Sequence, residues 1–193
     1  MKIKKQFKNE AGFTIIEMLT VMFVFAVVSS IAGAILVSSL RTSTKTNALA
    51  NVRNNGTYVI SQMSKTIRFA RNITVPFPCI DVPPTPFPIA TSSMTITNAD
   101  GGTITYKCNG PTDTPANTIT SNGASLMDTS TVTVAANSCS FTCRQATTSD
   151  YPLIGINFSL NGAAPSGNKF QENLASGSAI QFTTSILMRN IDR

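Results

Sequence analysis

A chain of 193 residues has room for one ordinary domain and an appended element; two full domains would be cramped. Only 12% of it is charged and it holds no histidine, which excludes His-based triads and relays. The net charge of +6 is not a nucleic-acid signal, because the first third of the chain carries it. Lys2, Lys4, Lys5 and Lys8 face Glu10 alone, and Arg41, Lys45, Arg53, Lys65, Arg68 and Arg71 follow with no acid among them. Beyond Arg71, five cations face seven acids.

Residues 18–40, MLTVMFVFAVVSSIAGAILVSSL, run for 23 positions without a charge. That exceeds the roughly 18 apolar residues that mark a spanning helix, and no small-x-small cleavage site follows, so an ordinary removable signal peptide fits badly. The lysines before the run place the amino terminus on the cytoplasmic side. Glu17 stands at the mouth of this run, where an acid is costly and by default marks function. Gly33, between Ala32 and Ala34, lowers helix propensity inside the span.

From Arg41 the helix is expected to continue into water as far as residue 72. Leu49, Val52, Gly56, Val59, Met63, Ile67 and Ala70 recur at three- and four-residue steps, the stripe of an amphipathic helix, and the six cations fall mostly off it. Asn51, Asn54, Asn55 and Gly56 weaken the pattern, so fraying is expected near Gly56.

Residues 75–88 contain six of the ten prolines and read as a loop. Two alternating runs, 93–97 and 103–108, flank the turn residues 98–102 and predict a hairpin. Residues 109–125 are rich in Thr, Asn, Gly and Pro and read as an exposed loop, as do residues 161–177. Further strands are expected over 131–135, 140–144, 154–160 and 179–188. The whole predicts an α+β arrangement, with a long amino-terminal helix packed on an antiparallel sheet within residues 73–193.

Cys79, Cys108, Cys139 and Cys143 all lie after the apolar run, an even count that favours two disulfides in an oxidising compartment. A zinc site competes poorly, since there is no CxxC pair and no histidine. Cys79–Cys108 with Cys139–Cys143 is the simplest pairing, though spacing alone does not decide it. Asp81, Asp100, Asp113, Asp128 and Asp150 form no paired-acid or EF-hand spacing, and Gly101-Gly102 belongs to a hairpin turn, not a phosphate loop. The chain reads as no enzyme, with no cofactor and no metal.

The string Lys4-Lys5-Gln6-Phe7-Lys8-Asn9-Glu10-Ala11-Gly12-Phe13-Thr14-Ile15-Ile16-Glu17, followed by the apolar run, resembles the class III signal of type IV prepilins. The resemblance implies removal of the leader, residues 1–12, by a membrane prepilin peptidase cutting between Gly12 and Phe13, with methylation of the new Phe13 amine. Residues 13–40 would be the transmembrane and assembly helix, and Glu17 would meet the Phe13 amine of a neighbouring subunit. Two such charges about 4 Å apart attract by ~4 kcal/mol at an effective dielectric near 20, offset by desolvation, so the pair sets register more than it stabilises.

Arg53, residues 58–71, the Tyr106 strand and residues 184–190 look like the J-type minor pseudopilins and PilW-like minor pilins. A structural subunit, minor in the filament, of a pilus or type II secretion-like pseudopilus is therefore expected. It would sit in the inner membrane before assembly and in an extracellular or periplasmic filament after it. Its expected partners are the peptidase, other pilin subunits, the inner-membrane assembly platform and membrane lipid. The rival is a tip adhesin or DNA-uptake pilin whose loops 75–88 and 109–125 bind a ligand; nothing in the sequence supports nucleic acid as that ligand.

Overall fold

The computed structural model describes residues 12–75, 79, 90–147, 149–162 and 179–189. The chain divides into two compact units, Met1–Thr44 and Lys45–Arg193, and one helix, α1 (Ile15–Arg68), runs through the division.

From Met18 to Leu40 α1 is apolar on every side and exposed throughout. It is long and apolar enough to cross a membrane. At 1.5 Å per residue, 23 uncharged positions extend about 35 Å, enough for a hydrocarbon core of about 30 Å. Its hydroxyls bond back to its own carbonyls: Thr20 Oγ1 donates to the Glu17 carbonyl at 2.9 Å and Ser30 Oγ to that of Val27 at 2.7 Å. Within hydrocarbon this satisfies groups that no water could reach.

In the second unit Val52, Gly56, Val59, Met63 and Ile67 are buried, one stripe of α1, while Lys45, Arg53, Lys65 and Arg68 stay exposed. The helix does not fray at Gly56. The Phe182 ring fills the place where a side chain would stand, so the glycine is there for close approach. α1 stops at Arg68, short of residue 72. The Arg68 carbonyl accepts the Arg189 amide at 3.1 Å, and the Arg71 amide turns away to the Thr97 carbonyl at 2.7 Å.

Among the described residues ten strands follow: β1 (Asn72–Val75), β2 (Ala90–Thr91), β3 (Ser93–Thr97), β4 (Thr103–Cys108), β5 (Ile119–Ser121), β6 (Ala124–Ser125), β7 (Val132–Val134), β8 (Ser140–Arg144), β9 (Leu153–Gly162) and β10 (Ile180–Leu187). They form two antiparallel sheets where one was expected. The first runs β1-β3-β4-β5-β6; the second runs β10-β9-β8-β2, with β7 also on β9. The expected hairpin is present with Ser93 opposite Lys107 and Thr97 opposite Thr103. Residues 109–125 are not all loop. β5 and β6 lie there because Thr118, Ile119 and Thr120 are buried, and Thr118 Oγ1 pairs with Ser125 Oγ at 2.8 Å. Threonines that look like loop chemistry are buried in and just before β5, which lies between β4 and β6. β1, unexpected, pairs Asn72 with Thr97 and Ile73 with Ile96. Of the loop expected over 161–177, Asn161 and Gly162 end β9 and the rest lies outside the described residues, as do most of residues 75–88.

The core collects Met63 and Ile67 of the helix, Met94, Ile96 and Tyr106 of the first sheet, and Phe141, Ile154, Ile156, Phe158 and Leu160 of the second. Strict alternation along β9 sends Ile154, Ile156, Phe158 and Leu160 inward, and Phe158 stacks on Phe182 with ring centroids 5.3 Å apart. Each such fully buried side chain contributes about 1.5–3 kcal/mol. Tyr106 is buried, which raises its phenol above the ordinary value of 10.0 against opposing hydrogen bonds to Thr66 and Ser121.

All four cysteines are oxidised, but the simplest pairing is wrong. The bonds are Cys79–Cys143 and Cys108–Cys139. Cys143 lies inside β8, so the extended chain from Cys139 spans about 13 Å, beyond the ~7 Å that a disulfide tolerates. Instead, Cys108 at the end of β4 reaches across to Cys139 and joins the two sheets. Cys79 sits beside β8, where its carbonyl accepts the Gln145 amide at 2.8 Å.

Candidate processing and assembly site

Residues 12–14 precede the helix and are not helical. Thr14 is the cap. Its carbonyl accepts the Glu17 and Met18 amides at 3.1 and 3.2 Å, and its Oγ1 accepts the Glu17 amide at 3.3 Å. Thr14 and Glu17 thus stand in the T-x-x-E spacing of a capping box, with the carboxylate in the first turn where the helix dipole favours an anion. Sequence reasoning treated Glu17 only as an intermolecular partner. The cap was legible in the same four residues.

The Gly12–Phe13 bond lies just ahead of this cap, in non-helical chain, with Phe13 76% exposed. A side chain added at Gly12 would meet nothing within 4 Å. Packing among the described residues therefore makes no demand for glycine at 12. Gly33 is likewise open, with nothing within 4 Å of an added side chain. Phe13, Ile16, Leu19, Phe23 and Phe25 are all exposed, so this helix offers its apolar surface to an environment outside the chain. Gly12, Phe13 and Glu17 fall within six consecutive residues at one helix start, while the four cysteines lie in the second unit and brace its sheets.

Residues 7–33 match the prokaryotic N-terminal methylation motif.

That motif is the class III signal of type IV pilins, and its match spans residues 7–12, the cap, Glu17 and over half of the apolar run. No curated protein and no solved structure matches the chain. The motif, the apolar helix and the two disulfides together fit a type IV pilin-like, membrane-anchored structural subunit. Among the described residues no group of three or more His, Cys, Asp or Glu side chains could hold a metal.

Proposed function

We propose that this chain is a minor structural subunit of a type IV pilus or a type II secretion-like pseudopilus. It is cut between Gly12 and Phe13 by a prepilin peptidase, methylated on Phe13, and assembled through residues 13–40. The observation that carries this reading is the coincidence of the methylation motif with the start of a helix apolar and exposed on all sides. Before assembly the helix anchors the chain in the inner membrane with its amino terminus cytoplasmic. The inner-membrane platform then moves it into a filament beside other pilin subunits.

Cleavage leaves an amine one residue before the Thr14 cap. No lysine or arginine lies between Phe13 and Leu40, so the cation able to meet Glu17 in a bundle of such helices is an amine of this kind. A neighbour displaced along the axis brings its Phe13 amine to this carboxylate; lipid tails cannot satisfy it.

Glu17→Ala and Glu17→Gln test the pairing separately from the cap. Gln retains capping-box chemistry and loses the charge. Both variants should insert into the membrane, and both should be depleted from sheared filaments isolated from cells expressing the remaining pilins. Full recovery of Glu17→Gln with loss of Glu17→Ala would assign Glu17 to the cap and remove the charge pair from the account.

A further inference from the structure

α1 ends abruptly beside the turn between β3 and β4. The Ala70 amide closes onto the Ile67 carbonyl at 3.2 Å, and the Arg71 amide crosses to the Thr97 carbonyl at 2.7 Å. This sets the turn against about the last two turns of the helix. An open cleft of about 400 Å³ lies between them, lined chiefly by Gln62, Lys65, Thr66, Phe69, Asn98 and Asp100. That volume is within the ~300–1,000 Å³ of small-molecule sites.

The walls are fixed by contacts within the chain. The Asn98 amide donates to the Gly102 carbonyl at 2.8 Å, the Gly101 amide to the Asn98 carbonyl at 3.1 Å, and the Gly102 amide to Asp100 Oδ1 at 3.0 Å. Thr66 Oγ1 donates to the Gln62 carbonyl at 2.9 Å and also meets the buried Tyr106 phenol. Other polar groups of the lining are left over. The side-chain amides of Gln62 and Asn98, the Lys65 amine and Asp100 Oδ2 have no protein partner among the described residues. The Phe69 ring beside them is 59% exposed.

Two amides that donate and accept, one ammonium that donates and one carboxylate that accepts make a lining whose charges cancel. A hydroxyl also donates and accepts, so a ring bearing several hydroxyls can engage all four groups at once. The C–H face of a sugar ring, weakly positive, suits the negative face of an exposed phenylalanine. A polyanion would meet Asp100 and a polycation Lys65. A peptide strand has no edge to join here, since β3 is paired with β1 on one side and β4 on the other. A partner helix would need a row of apolar anchors, and the cleft offers one large ring.

We propose that the cleft between the end of α1 and the β3–β4 turn binds a neutral saccharide. Phe69 stacks on a sugar ring, and Gln62, Lys65, Asn98 and Asp100 hold its hydroxyls. The site lies wholly in the second unit and stands whether or not the Glu17 pairing holds.

The test is a nuclear magnetic resonance titration of the isotope-labelled full chain with cellobiose, lactose, maltose, chitobiose and mannobiose. The chain is held in dodecylphosphocholine micelles, which carry no sugar. At least one disaccharide should shift the amide signals of Lys65, Phe69, Asn98 and Gly102 saturably, with a Kd on the order of 1 mM. Phe69→Ala should weaken that binding at least about tenfold, and Gln62→Ala at least about threefold, with the signals of the buried Ile96 and Tyr106 unmoved. Tyr58→Ala, which removes an exposed ring of the same helix outside the cleft, should change it by less than about twofold. No saturable shift from any of these sugars at about 50 mM, shifts that map outside the cleft, or an equal loss from Tyr58→Ala would overturn the proposal. So would saturable binding of a sulfated heparin disaccharide alone, abolished by Lys65→Ala, since the cleft would then serve an anion.

Discussion

Gly33 and Gly56 lie in the same helix and have opposite surroundings. At Gly33 an added side chain would meet nothing; at Gly56 it would enter the Phe182 ring. The same contrast holds for the methionines, with Met22 exposed and Met63 fully buried. One half of α1 is built to be covered by the chain's own sheets. The other is built for a partner or a solvent that the chain does not supply. Apolar composition alone cannot separate the two, but periodicity does: the buried half carries one stripe, the exposed half is apolar all round.

Methionine truncation breaks the comparison most sharply. Met63→Ala should lower the stability of the folded second unit by about 2–5 kcal/mol, through lost burial and the cavity left behind. Met22→Ala should leave that stability unchanged, as denaturant titration followed by near-ultraviolet circular dichroism would show. The disulfides bear on the second unit alone. Loss of Cys79–Cys143, which spans 64 residues, should cost about 2–4 kcal/mol, and Cys108→Ser a similar amount. Mapping by partial reduction should return Cys79 with Cys143 and Cys108 with Cys139.

The glycines test the same contrast with a smaller effect and opposite signs. Gly56→Ala should destabilise by about 1–3 kcal/mol as Phe182 is forced out of its stack with Phe158. Gly33→Ala should instead stabilise the span's helix, by up to about 1 kcal/mol. The smallest effect depends on pH. The hydrogen bond from Lys107, at 2.7 Å, and the Gly110 amide hold the Asp113 carboxyl below its ordinary 3.8. The Ser130 hydroxyl and amide do the same for Asp128. Their contribution is present above about pH 4 and is lost as pH falls through the lowered values. Asp113→Asn should therefore flatten the acid limb of a stability–pH curve for the second unit, lowering stability slightly at neutral pH and making no difference in acid, where the carboxyl is already protonated.

The processing signal, the helix with its buried stripe, the hairpin and most later strands were legible because each is local: a period, a turn dipeptide, a short motif. The division into two sheets was not, since it depends on which strands meet across long separations. Thr120 reads as loop because burial, not composition, makes it strand, and the buried Thr118 leads into β5. The two disulfides were expected, but their pairing was not legible, for a related reason. Nearness in sequence suggested Cys139–Cys143, whereas strand extension forbids it and the sheets decide it. The Thr14 cap is legible in the T-x-x-E spacing of Thr14 and Glu17.

The claim on which the rest depends is that the exposed half of α1 begins at a processed terminus. Intact-mass and amino-terminal peptide analysis of the protein from its native host measures this directly. The account predicts a chain that starts at Phe13 with one added methyl group, and an uncut chain when Gly12→Val crowds the scissile bond. A chain that still begins at Met1 or Lys2 would contradict it, and would leave the helix as a plain membrane anchor.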